Sequence, residues 1–342
     1  VLFRSTPQRP DYPYREPDSL AEIIQQRPEN PRETSISLTA QDLSNRISGA
    51  WQGRIIGSVL ARPIEPGLSK KRVIEFLKIA RSYPLADYIP QIFPHPDGYR
   101  QRPDAAYCYR GEIPGAPFDD DLDGTLLALS ILESFGVQFT TVDVATAWLE
   151  HLTFFHTHNT DRTVYRNLVW NVSPQDAATF VNPEAEFIGA RMRADLYGYI
   201  CPGRPALASS LAYQDASLSH TRNGIYSAMF MAAMLAWAYV SDDPSELVAA
   251  GLSKIPKNSR LAEGLRFVLT LHQEVEDWEI AYEQLLLKYG DYLPIHAIPN
   301  TLWVALALLY GAGNFEQSLS IAVACGFDRS EERRVGKECR SR

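Results

Sequence analysis

Apolar residues recur at helical spacing along most of the chain and almost nowhere alternate with the two-residue period of a half-buried strand. The spacing predicts helices over 39–60, 68–81, 123–135, 142–155, 187–198 and 205–217 in the first two thirds. Further helices are predicted over 221–241, 244–251, 258–270, 276–288, 300–311 and 315–325. Thr39 is placed to cap the first of these, with Asp42 at the matching third position. Residues 225–240 are apolar nearly all round but short for a membrane span, and read as a central buried helix. The class predicted is all-α with many helices.

Two long stretches break the pattern, 82–117 and 159–185, and both are read as irregular segments that shape specificity. Residues 1–36 carry Pro7, Pro10, Pro13, Pro17, Pro28 and Pro31 and read as an extended arm with one short helix over Leu20–Gln26. Residues 37–328 form the expected helical domain. Beyond Asp328 the chain turns polar, with a net charge of +3 over 329–342, and this tail is expected to be non-native, as are residues 1–5.

Composition adds limits. With 45% hydrophobic and 22% charged residues the chain resembles an ordinary globular protein, and its net charge of -8 argues against a nucleic-acid partner. Cys108, Cys201, Cys325 and Cys339 are scattered without a CxxC pair, so neither a zinc site nor a disulfide framework is indicated, and a reducing cytoplasmic setting is expected. No signal peptide is apparent, no membrane partner is expected, and the oligomeric state is not encoded in any motif. The first residue is not Met, which reads as a trimmed or incomplete start.

The chemistry concentrates around Asp119, Asp120, Asp121 and Asp123, just ahead of an apolar helical run. Clustered carboxylates repel one another unless a hard cation or a helix N-terminus offsets their charge. The same residues also read as an N-cap with solvated neighbours, and the stretch alone leaves both open. Upstream, Gly49, Gly53 and Gly57 repeat at four-residue spacing. Each glycine costs about 1 kcal/mol inside a helix, so the stripe implies close approach of another helix or a ligand. Pro63 and Pro66 frame Glu65, either a functional carboxylate or a surface glutamate. Tyr107 and Tyr109 read as packing residues with stacking on a ligand as the alternative. His156 and His158 read as polar loop residues, because no third soft ligand lies near them in sequence.

Taken together, four segments resemble the motifs of the ADP-ribosylglycohydrolase family. The run from Gly49 through Gly53, Gly57 and Pro63 to Glu65 resembles its first, glycine-rich motif. Asp119-Asp120-Asp121 resembles its Thr-Asp-Asp metal motif, with Asp119 in place of the threonine. Gly189-Ala190-Arg191-Met192-Arg193, Pro202-Gly203 and Asp215 to His220 resemble its central substrate segment, and Gly326-Phe327-Asp328 the opening of its last motif. The similarity spans about residues 37–328 and implies a compact orthogonal bundle of helices.

It also implies a hydrolase that cleaves an N- or O-glycosidic bond to ribose, in small or protein-linked ADP-ribosyl conjugates or a related riboside. Two Mg²⁺ ions are implied, held by Asp119, Asp120, Asp121 and Asp328, with Glu65 as the acid/base and Gly189, Asp195 and His220 facing substrate. A catalytically silent protein of the same fold is the alternative. Two departures from the family pattern stand out. Ser58 occupies a position that is usually aspartate, and the last motif switches to Arg329-Ser330, so a truncated C-terminus and an inactive chain are further expectations.

Overall fold

The computed structural model describes residues 11–28, 33–65, 69–96, 99 and 103–326. Among them lie sixteen α-helices, numbered in chain order, and no strand. Among the described residues β-type pairing is limited to two isolated bridges, Ser69 with Gly326 and Phe187 with His296.

The core is built on the two most apolar helices. In α11 (Asn223–Trp237) every residue from Asn223 to Ala236 is buried, and α15 (Ala297–Gly311) is buried along its whole length. Helices without a polar face need neighbours on all sides. Around α11 pack α8 (Gly189–Met192), α9 (Asp195–Tyr199), α10 (Pro205–Ala216), α12 (Pro244–Leu252) and α13 (Arg260–Glu274). Around α15 pack α13, α14 (Trp278–Tyr289) and α16 (Phe315–Cys325). Burying a side chain such as Phe230, Met231 or Leu306 stabilises the fold by about 1.5–3 kcal/mol each. The contact of α9 with α11 is so close that a Cβ on Gly198 would lie 2.5 Å from that of Leu235.

A second group of helices lies against this core and carries the chemistry-bearing motifs. It comprises α2 (Ala40–Ala61), α3 (Lys70–Ile79), α4 (Asp120–Phe135), α5 (Thr141–His151), α6 (Asn159–Val169) and α7 (Pro174–Ala177). The Thr39–Asp42 capping box forms as its residues predict. Helix α2 packs on α4, and its Gly53 and Gly57 are buried.

Four expectations are corrected. First, α4 begins at Asp120, three residues earlier than the apolar run, because Asp119 caps it. Second, the helix expected over 187–198 is two short ones, broken at Arg193. Third, the stretch 159–185 is not irregular, because it contains α6 and α7. On α6 the buried face mixes Val164 and Leu168 with Thr160 and Asn167, which conceals the apolar period. Fourth, α15 starts at Ala297 and takes Pro299 in its first turn, where a missing N–H costs nothing.

The arm ahead of α2 contains α1 (Leu20–Gln25) and is tied down by ionic contacts. Glu16, 1% exposed, accepts from the Arg260 side chain at 2.8 Å and from Asn223 Nδ2 at 2.9 Å. Arg260 also donates to Glu186 at 2.6 Å, and Asn223 Nδ2 donates to Glu186 at 2.8 Å. Arg27 Nε donates to the Lys254 carbonyl at 2.9 Å.

Candidate functional site

The site grows from the contact between the end of α2 and the start of α4. Asp119 Oδ1 accepts from the Asp121 N–H at 3.0 Å and so caps α4. Asp119 Oδ2 accepts from Ser58 Oγ at 2.6 Å and lies 3.6 Å from Arg62 Nη1. The same Arg62 nitrogen lies 3.2 Å from Glu65 Oε2, while its Nη2 donates to the Phe118 carbonyl at 2.9 Å. Arg62 is buried and spans the α2 terminus, so it fixes Glu65 beside the acidic run.

Asp119, Asp120 and Asp121 each offer one carboxylate oxygen, and these three atoms lie within 4.8 Å of one another. A hard, all-oxygen donor set of this kind suits Mg²⁺. Asp119 and Asp121 are buried and Asp120 half-buried, which leaves Asp120 as the member facing the cleft.

That cleft has two continuous lobes. The larger, about 470 Å³, runs over α4 and α5 and is bounded by Phe118, Leu126, Trp148, His156 and Met192 among others. The smaller, about 200 Å³, is bounded by Glu65, Thr160, Phe187 and Ile188. Asp120, His158, Asp161, Gly189 and Met192 line both and mark the junction. The Phe118 and His156 rings pack at 4.5 Å between centroids. His156 and His158, expected to be loop residues, therefore border the cleft, though neither joins the carboxylate cluster. Asp123 also lines the larger lobe, and burial together with Asp119 and Asp120 raises its carboxyl above the usual range.

Asp161, on α6, was not singled out by sequence. Its carboxylate lies 3.3 Å from Arg193 Nη1, and Arg193 Nε donates in turn to Asp215. Tyr197 Oη donates to the other Asp215 oxygen at 2.7 Å, and Arg193 Nη2 donates to Ser219 Oγ at 2.7 Å. One buried guanidinium thus serves two acids. Asp215 holds it most directly, so burial raises the Asp161 carboxyl, the pull of Arg193 only partly offsets this, and Asp215 and Asp120 add to the rise. Arg193 itself is raised, because the two carboxylates outweigh its own burial.

Gly189 makes this junction possible. A Cβ there would lie 2.9 and 3.1 Å from the Asp161 carboxylate oxygens and 3.1 Å from His220 Cε1. His220 sits behind Gly189 and is buried. Its Nε2 accepts from the Ala190 N–H at 3.3 Å, which assigns the proton to Nδ1, 2.7 Å from Ser219 Oγ. Burial, with Arg193 adding to it, pushes the imidazole well below its ordinary value and keeps it neutral.

Asp195 is fully buried on α9 and pairs with Arg54, whose Nη2 donates to the Asp121 carbonyl and, at 2.7 Å, to the Met192 carbonyl. Asp195 therefore lies one layer behind the acidic run and supports it through Arg54. Asp328 lies outside the described residues. Tyr109 is buried and Tyr107 exposed, and neither lines the cleft. Asp161 escaped detection because its helix did. Its only signal is an acid in a first helical turn, which ordinary surface helices share.

A family model described as ADP-ribosylglycohydrolase matches residues 39–330. A search of curated proteins finds no match. Among solved structures, the chain is similar to an "ADP-ribosylglycohydrolase-related protein complex", with 18% identity, 88% of each chain covered and a TM-score of 0.55. At that identity the likeness speaks to the fold.

Proposed function

Because the chain belongs to the ADP-ribosylglycohydrolase family, we propose that it is a Mg²⁺-dependent hydrolase of N- or O-glycosidic bonds to ribose, acting on ADP-ribosyl conjugates or related ribosides. The observation that carries this reading is the meeting of Glu65 with Asp119, Asp120 and Asp121 across Arg62 at one end of a continuous cleft.

Asp120 and Asp121, with Asp119, would hold the cation, and Asp328 belongs to the same proposed ligand set. When bound, Mg²⁺ supplies Lewis acidity, anchoring sugar hydroxyls and lowering the pKa of a water. Glu65 accepts the proton of the water that adds to the anomeric carbon as the bond from that carbon to its nitrogen or oxygen breaks. The leaving group takes a proton from solvent water, and Glu65 returns the proton it accepted to solvent, so that one water is consumed and no net proton. Arg62 fixes Glu65 in place, and Gly189 and Asp161 border the space left for the sugar.

The family's usual pattern pairs an aspartate after the first-motif glycine with a threonine opening the metal motif. Here Ser58 and Asp119 hold those places and hydrogen bond at 2.6 Å. Relative to that pattern, hydroxyl and carboxylate have exchanged positions, and in this chain the two are bonded to one another. Among the described residues no helix is long and apolar enough to cross a membrane. The scattered cysteines support a cytoplasmic setting.

Thermal shift with Mg²⁺, paired with hydrolysis of an ADP-ribosylated peptide and of simple ribonucleosides, tests the reading. We expect stabilisation by Mg²⁺ and Mg²⁺-dependent hydrolysis in the wild type, with both lost in Asp120→Asn/Asp121→Asn. Mg²⁺ binding without hydrolysis of any riboside would favour the silent protein of the same fold.

A further inference from the structure

Resting on the hydrolase reading, we infer that the larger lobe receives an uncharged aromatic aglycone, so that the favoured substrate is a neutral riboside of the nucleoside class and not a pyrophosphate-bearing conjugate.

Charge is the first argument. A pyrophosphate is a dense anion and needs cations or several converging N–H donors to offset its loss of water. Apart from Asp120, which the cation would occupy, the larger lobe is bordered among the described residues by the carboxylates Asp123 and Asp161 and by no lysine. Its one arginine, Arg193, is already committed to Asp161, Asp215, Ser219 and the Gly189 carbonyl. Releasing that guanidinium to a phosphate would strand two acids in the interior, which is the costly way to break a buried pair. The lobe also carries His151, His156 and His158, and His156 has Asp123 within electrostatic reach and Phe118 against its ring.

Shape and surface are the second argument. Phe118 and His156 form an aromatic edge, Trp148 and Leu127 form the buried part of the wall, and Leu126 and Met192 add apolar cover. Aromatic and apolar walls with a few polar groups at one end are the usual lining of a site for a flat heterocycle. The polar end is the junction at Asp120 and Asp161, next to the carboxylate cluster, where a sugar would lie. A riboside with its base over Phe118 and its ribose at the junction satisfies both ends.

The test is titration calorimetry of adenosine, AMP and ADP-ribose into the full chain with Mg²⁺, which varies phosphate while keeping base and ribose fixed. Adenosine should bind at least tenfold more tightly than ADP-ribose, with AMP between them, and added salt should narrow the gap by screening repulsion. Phe118→Ala, at an exposed position where folding is spared, should weaken adenosine about tenfold. ADP-ribose binding as tightly as adenosine, or more so, would overturn the inference while leaving the hydrolase reading intact. Failure of adenosine to bind, or indifference to Phe118→Ala, would also overturn it. Adenosine bound but not hydrolysed would overturn the substrate assignment, while hydrolysis of an ADP-ribosylated peptide would still decide the hydrolase reading.

Discussion

Replacing Asp215 by alanine tests the claim that one buried ion network supports the junction of the cleft. Asp215 accepts from Arg193 Nε on one oxygen and from Tyr197 Oη on the other, and it is 1% exposed. Its removal leaves a buried guanidinium with Asp161, a partially exposed and more distant partner at 3.3 Å. Breaking a buried pair from one side costs about 3–5 kcal/mol, and an orphaned hydroxyl about 1–3 kcal/mol. Asp161 and Ser219 retain part of the compensation, so we expect a loss of about 4 kcal/mol in all. Against a total stability of about 5–15 kcal/mol this is a large share, and for a chain of this length it corresponds to a drop of about 6 °C in Tm. Urea unfolding followed by circular dichroism reads it as a lower midpoint at unchanged slope. Because the pair is buried, the loss should persist at high salt. Asp215→Asn, which retains an acceptor for Tyr197, should lose less. A loss below about 1 kcal/mol for the alanine variant would refute the assignment of Asp215 as the main partner of Arg193.

Gly189→Ala should cost about 1–3 kcal/mol and weaken riboside binding, because its Cβ would lie 2.9 Å from an Asp161 oxygen; normal affinity would show that the junction yields freely. Glu65→Gln should lower turnover about 100-fold with KM little changed, and undiminished turnover would remove Glu65 from proton transfer. Ser58→Ala removes a 2.6 Å hydrogen bond to a buried carboxylate and should destabilise the protein by about 1.5–3 kcal/mol in urea; an unchanged midpoint would deny the exchanged pair its role. The fourth concerns pH. His220 is held well below its ordinary value by burial and Arg193, and burial pushes His296 down to about 4. A group lowered on folding gives stability that is present above its unfolded value and lost as pH falls below it. Stability should therefore decline below about pH 6.5, each histidine contributing up to about 1.4 kcal/mol per pH unit. His220→Gln should reduce that slope between pH 6.5 and 5.5, and an unaltered slope would mean His220 is not the group excluded from protonation.

Much of the architecture was legible where one physical signal dominates. The Thr39–Asp42 box marks the start of α2, and the uninterrupted apolar runs of α11 and α15 mark the centre of the molecule. The acidic run and Glu65 were legible as candidates because paired prolines and clustered carboxylates are unusual locally. What sequence could not supply was the third dimension of the polar interior. Nothing in the pattern around Arg54, Arg62 and Arg193 marks their partners, yet each is buried against acids 3 to 141 positions away. Helix α6 stayed hidden because Thr160 and Asn167 take core positions through bonds to the carbonyls of Glu184, Ala177 and Phe180. Asp161 was lost with it. The same polar burial explains why Asp195 and His220 were recognised as residues of interest without their place behind the cleft being evident.

The ionic knot between the arm and the core has a consequence for the order of assembly. Glu16 is made early, but its partner Arg260 lies 244 positions later, and Arg260 also holds Glu186, next to the cleft residues Phe187 and Ile188. Ile188 N–H further donates to the Ile295 carbonyl, and Ala297 N–H to that of Glu186. As the chain leaves the ribosome, the Ser58–Asp119 half of the site can close within a short stretch of polypeptide. The opposite wall must wait until some 180 further residues have been added, since long-range contacts form last. A nascent chain halted near residue 250 would thus carry its acidic run in place and its substrate wall open, and proteolysis of such stalled chains should cut beside Phe187 while sparing α4.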